Sequence, residues 1–167
     1  IAWSNSNGIT LNNVRTMVVT GNYLHHNGGA GLTMTGATAG QLQSNVFTDN
    51  ERPVILSSTG IVTTKDNVSV GNVADGMLFT VDTVSNAQVW AADLPRDITR
   101  NVSLVTNPQG GGNPDLKIDP GLLLRFAPSA GIKARAGRFE VGGAYFTSDL
   151  SDPRLRSWSG LSFEGTA

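Results

Sequence analysis

Gly21-Asn22-Tyr23-Leu24-His25-His26-Asn27 returns one repeat later as Ser44-Asn45-Val46-Phe47-Thr48-Asp49-Asn50, and again as Asp66-Asn67-Val68-Ser69-Val70-Gly71-Asn72. The three copies keep an Asn at the second and seventh positions: Asn22, Asn45, Asn67 and Asn27, Asn50, Asn72. An apolar triplet recurs in the same register: Ile9-Thr10-Leu11, Leu32-Thr33-Met34, Val54-Ile55-Leu56 and Met77-Leu78-Phe79. Gly8, Gly31, Pro53 and Gly76 precede these triplets. Self-similarity at a fixed short period is the mark of a stacked repeat.

Each period holds three short extended pieces, in the first copy Ile9–Leu11, Met17–Val19 and Tyr23–Leu24. None is long enough for an ordinary helix, and β-branched residues are frequent in them. Gly and Asn lie between the pieces, where the chain must turn. Three strands and three turns make one triangular coil, and stacking coils pairs each strand in parallel with its equivalent one turn later. The expectation is an all-β right-handed parallel β-helix, a solenoid with coils of about 22 residues. Asn side chains repeated at one corner stack at about the 4.8 Å strand spacing, and each amide can donate to the next. Asn22, Asn45, Asn67, Asn27, Asn50 and Asn72 are therefore expected to form structural ladders.

Composition narrows the rest. The chain has 167 residues, no cysteine, 12 Lys+Arg against 13 Asp+Glu, and a formal net charge of -1. Disulfides, thiolate metal sites and a cysteine nucleophile are excluded. A nucleic-acid partner would require a basic surface that this balance does not supply. The longest apolar runs are too short to insert in a membrane as a helix. Charged residues make up 15% of the chain, below the roughly 25% usual for soluble domains.

The Asn-rich copies resemble the parallel β-helix repeats of the pectate-lyase-like superfamily. Beyond Phe79 the register is lost, and Gly110-Gly111-Gly112-Asn113-Pro114 is the strongest loop signal in the chain. Alternation then resumes from Leu116. Leu116-Lys117-Ile118-Asp119-Pro120-Gly121, Gly137-Arg138-Phe139-Glu140-Val141-Gly142-Gly143, Phe146-Thr147-Ser148-Asp149 and Trp158-Ser159-Gly160-Leu161-Ser162-Phe163 resemble the opening coils of β-helical modules in large bacterial surface proteins. The resemblance implies coils ending one module at 1–81, an irregular junction at 82–115, and the start of a following module at 116–167. Neither end of the sequence shows a polar cap. This reads as an excerpt of a longer chain, with end-to-end stacking into a fibre as the other reading.

Candidate chemistry is thin. Members of the superfamily include polysaccharide lyases, which need a Lys or Arg base and a cation, often Ca²⁺, beside the uronate carboxylate. Asp49, Glu51, Arg52, Lys65 and Asp66 are the candidate carboxylate or glycan patch, with solvated turn charge as the plainer reading. His25 and His26 are adjacent, so on a strand they point to opposite faces and cannot share a metal without a turn. No metal site or cofactor is expected; Ca²⁺ is allowed by the resemblance but not indicated by the residues. Thr33-Met34-Thr35 alone has the spacing of an ice-binding array. Lys133, Arg135 and Arg138 read as a solvated basic face, Asn67-Val68-Ser69 and Asn101-Val102-Ser103 as chance sequons, and Trp90 and Trp158 as core or end plugs. The resulting expectation is a non-catalytic structural segment of an extracellular or cell-surface bacterial protein, an adhesin stalk or fibre subunit. Its partners would be neighbouring modules or identical subunits, and glycans in the alternative reading of a carbohydrate-active or glycan-binding β-helix.

Overall fold

In a computed structural model the chain is a parallel β-solenoid. Residues 1–36, 39–57, 61–107, 113–148 and 158–164 are described. The loop signal at Gly110-Gly111-Gly112 and the Asp149 of the late repeat lie outside them.

The first three coils each carry three strands. They are β1 (Ile9–Asn12), β2 (Thr16–Thr20) and β3 (Tyr23–His25), then β4 (Ala30–Thr35), β5 (Ala39–Gln43) and β6 (Val46–Thr48), then β7 (Arg52–Ser57), β8 (Ile61–Lys65) and β9 (Val68–Val70). The next three are β10 (Met77–Phe79), β11 (Thr83–Val84) and β12 (Gln88–Trp90), then β13 (Arg96–Ile98), β14 (Val102–Leu104) and β15 (Leu116–Ile118), then β16 (Leu123–Phe126), β17 (Gly131–Ala134) and β18 (Phe139–Val141). β19 (Tyr145–Ser148) and β20 (Gly160–Phe163) follow.

One seven-stranded sheet, β1-β4-β7-β10-β13-β16-β19, runs through every coil. Its register stacks Leu11, Met34, Leu56, Phe79, Ile98 and Phe126 inward in one file. From Met34 to Phe126 these side chains are at most 3% exposed. Burying each is worth about 1.5–3 kcal/mol. Leu24, Leu42, Phe47, Val102, Leu104 and Leu116 close the core from the other faces.

Strands also occupy the stretch 82–115, where the sequence suggests a junction. It carries β11, β12, β13 and β14, and the large sheet crosses it without interruption. The step from Met77 to its partner Arg96 is shorter than a regular coil, and the step from Arg96 to Leu124 is longer. One short coil followed by one long coil defeats a search at fixed period, although each strand still finds its parallel partner.

What changes here is the cross-section. The two smaller sheets of the first coils, β2-β5-β8 and β3-β6-β9, end at the third coil. Two others, β11-β14-β17-β20 and β12-β15-β18, begin at the fourth. β12 runs beside β8. Among the described residues no backbone hydrogen bond joins the two strands. The wall of the solenoid therefore has a seam on this face.

Candidate functional site

The corners decide where the polar side chains go. Gly21, Ser44 and Asp66 have positive φ, as do His26, Asp49 and Gly71. Each stands immediately before one of the six repeated Asn residues. A left-handed residue reverses the chain sharply, and the Asn that follows lies against the stack. Gly bears this conformation freely; Asp, Asn and His carry it better than most residues.

Two amide stacks result. Asn45 Oδ1 accepts from the Asn22 backbone N–H at 3.0 Å and from Asn22 Nδ2 at 3.1 Å. Asn45 Nδ2 donates to the Val19 carbonyl at 2.9 Å and to Asn67 Oδ1 at 3.0 Å. Every hydrogen-bonding position of this amide is used, and its residue is fully buried. In the second stack Asn27 Nδ2 donates to Asn50 Oδ1 at 2.8 Å and Asn50 Nδ2 to Asn72 Oδ1 at 3.0 Å.

Both stacks end on a carboxylate. Asn67 Nδ2 donates to Asp93 Oδ2 at 2.6 Å, and the Asn67 backbone N–H donates to the same atom at 3.4 Å. Asn72 presents its backbone N–H to Asp75 Oδ1 at 3.2 Å. Amides aligned head to tail expose donors at this end of the file, and an anion satisfies them as it does at a helix N-terminus. Asp93 lies further along the chain from Asn67 than one regular repeat, so the period does not reach it.

Asp93 also serves a buried cation. Arg96 is 1% exposed, at an inward position of the large sheet where neighbouring coils place Met77 and Leu124. Its guanidinium lies 5.2 Å from the Trp90 ring centroid and 5.8 Å from that of Phe79. Its Nη2 donates to Thr64 Oγ1 at 3.5 Å, and Thr64 donates on to Asp93 Oδ1 at 2.8 Å. Burial lowers the pKa of Arg96 to about 10, and the Asp93 carboxylate opposes that shift. The group stays charged at neutral pH. Arg96 Nε is buried and has no hydrogen-bond partner among the described residues.

The five residues of the candidate patch are dispersed. Arg52 Nη1 pairs with Asp97 Oδ2 at 3.1 Å, and Arg125 Nε holds the other oxygen at 2.6 Å. This Arg–Asp–Arg bridge runs from the third coil to the sixth and passes over Gly76, where a Cβ would collide with Arg125 and the Asp97 carboxylate. Among the described residues Lys65 pairs with Asp66 at 3.9 Å, and both are exposed. Asp49 lies 3.9 Å from His26 Nε2 and accepts from Thr48 Oγ1 at 2.8 Å. Glu51 is exposed, and its side chain has no partner among the described residues. In the later basic cluster, Arg135 pairs with Glu164 at 2.9 Å and Arg138 with Glu140 at 2.8 Å.

Trp90 is in the core, and Trp158 stacks 4.7 Å from Phe126. The sequon at Asn67 is closed to modification, because its amide is buried in the ladder.

Two surface features were not legible in the sequence. The first is an aromatic corner. Trp3, 76% exposed, stacks on His26 with ring centroids 4.4 Å apart, and Tyr23 stacks on His25 at 4.3 Å. The turn at His26 brings the two imidazoles together, with Nδ1 to Nδ1 at 2.9 Å. The second is a groove along the seam between β8 and β12. It is a chain of hollows of about 270, 460 and 530 Å³. Thr63 and Val89 line the first two, and Lys65 and Ala91 the last two. Gln41, Gln43, Lys117 and Asp119 stand along its sides. Among the described residues no group of three or more His, Asp or Glu converges as a metal site, and no helix is long and apolar enough to cross a membrane.

A family model described as right handed beta helix region matches residues 1–90. No curated protein and no solved structure matches. With the parallel stack of coils and the matched repeats in place, the chain belongs to the right-handed β-helix family.

Proposed function

We propose that the chain is a structural segment of an extracellular bacterial surface protein, a stiff spacer in a stalk or fibre. The observation that carries this reading is the use made of the repeated polar residues. Among the six ladder Asn, the amides are engaged by neighbouring coils, with Asn45, Asn50, Asn27, Asn67 and Asn72 buried. Side chains committed in this way hold coil to coil and leave little free for a substrate. The unbroken seven-stranded sheet adds backbone bonds along the whole axis. Antibodies raised against the chain are expected to label intact source cells. Labelling only after permeabilisation would overturn the surface assignment. In hydrogen exchange, the slowest amides are expected along all seven strands of the large sheet, as one cooperative unit. Slow exchange confined to the first three coils would sink the spacer reading.

A second reading, a glycan-binding module, is favoured by the seam groove. Amides, a hydroxyl and paired charges around an apolar floor are the mix that orients a polar ligand. Val89 is 45% exposed and borders two of the three hollows. Val89→Arg should fill the groove with little effect on folding. On a glycan array, binding by the parent chain that falls at least about tenfold in this variant would support the reading. No binding by the parent chain, or binding indifferent to Val89→Arg, removes it.

A further inference from the structure

We propose that the His25–His26 corner is a binding site for one divalent transition-metal ion, with Cu(II) preferred. Two consecutive strand residues would face apart, but His26 has φ 54° and turns its ring back toward His25. The two Nδ1 atoms lie 2.9 Å apart, with the rings nearly perpendicular at 82°. One proton joins them in the free protein, since one nitrogen must donate and the other accept.

Once the rings rotate so that both Nδ1 lone pairs leave the N–N line of the hydrogen bond, a metal ion at about 2.0–2.1 Å from each nitrogen would subtend an angle of about 90° at that separation. This is the cis angle of a square-planar or octahedral ion. A tetrahedral ion would need the nitrogens about 3.3 Å apart. Imidazole ligands at right angles suit Cu(II) or Ni(II), and with only two protein ligands the intrinsic affinity order places Cu(II) first. On binding, the shared proton leaves Nδ1 and the ring that gave it up is protonated at Nε2 through solvent, so both imidazoles stay neutral, and water completes the coordination.

The surroundings fit. His26 turns its other nitrogen, Nε2, toward the Asp49 carboxylate, 3.9 Å away and beyond hydrogen-bond reach, so the carboxylate adds negative charge beside the site. His25 is half-buried and His26 exposed, so the site is open to solvent. Trp3 covers one face of His26.

Trp3 also makes the site readable. CuCl₂ titrated into the full chain at pH 7.5 should quench tryptophan emission and saturate at one equivalent. Trp90 in the core and Trp158 against Phe126 and Phe146 should contribute little to the change. The His25 control borrows from the next coil, where Thr48 aligns with His25, and Asn at position 26 tolerates the positive φ. His25→Thr and His26→Asn should each weaken binding at least about tenfold, with unchanged circular dichroism. Trp3→Phe should abolish the quenching but keep the calorimetric binding and the electron-spin signal of two coordinated nitrogens. Quenching unchanged in the His25→Thr/His26→Asn double variant, saturation beyond one equivalent, or no quenching at all would each overturn the proposal.

Discussion

Asp93→Ala is expected to lower the unfolding free energy by about 3–5 kcal/mol, the range for stripping the partner from a buried charge. Three groups depend on that carboxylate. Asn67 loses the acceptor of its amide, Thr64 loses the acceptor of its hydroxyl, and Arg96 keeps its charge in the core with no anion nearby. Arg96→Met should behave differently. Methionine fills similar space between Met77 and Leu124 in the file, and replacing a buried ion by an apolar side chain is often neutral or stabilising. The two substitutions should therefore couple, with Arg96→Met recovering a large part of the loss caused by Asp93→Ala. Urea unfolding of the two single variants and the double variant measures this coupling. Additive losses would show that Asp93 acts on the ladder alone.

Asn45→Ala is expected to cost about 3 kcal/mol or more, from buried groups left without partners at about 1–3 kcal/mol each. The Val19 carbonyl and the Asn22 backbone N–H lose their bonds to this amide, and a fully buried corner gives water no easy access to replace it. Asn22→Ala, at the half-buried head of the same ladder, should cost clearly less. Asn45→Asp keeps the one oxygen that accepts both bonds from Asn22 but turns its other oxygen on the Val19 carbonyl and Asn67 Oδ1. The buried carboxylate is disfavoured, so its pKa in the folded state rises above the unfolded value. The penalty is then fully present above the folded pKa and fades as pH falls toward the unfolded value. A loss below about 1 kcal/mol in Asn45→Ala would show that the ladder contributes register rather than stability.

The first three coils were readable because their length is nearly constant. Apolar triplets, turn residues and the two Asn files recur at one interval, and parallel stacking is the arrangement that uses all of them together. The later coils obey the same strand pairing, but Met77 reaches Arg96 by a short step and Arg96 reaches Leu124 by a long one. Their strands are also short, with three residues in β12, β13, β14 and β15. A short alternating run gives little signal by itself, and without a period nothing aligns it with its neighbour.

The sequence by itself determined the all-β solenoid, its coil length in the repeated half and the corner positions of the Asn residues. These follow from local rules, since alternation, turn chemistry and repetition are properties of neighbours along the chain. Tertiary structure alone decided which groups meet across coils. It set Asp93 at the end of one ladder and beneath a buried arginine, joined Arg52 to Asp97 and Arg125, opened the seam beside Val89, and folded His26 back on His25. These contacts depend on how far each coil travels before it returns, and that distance is settled only when the chain closes on the coil before it.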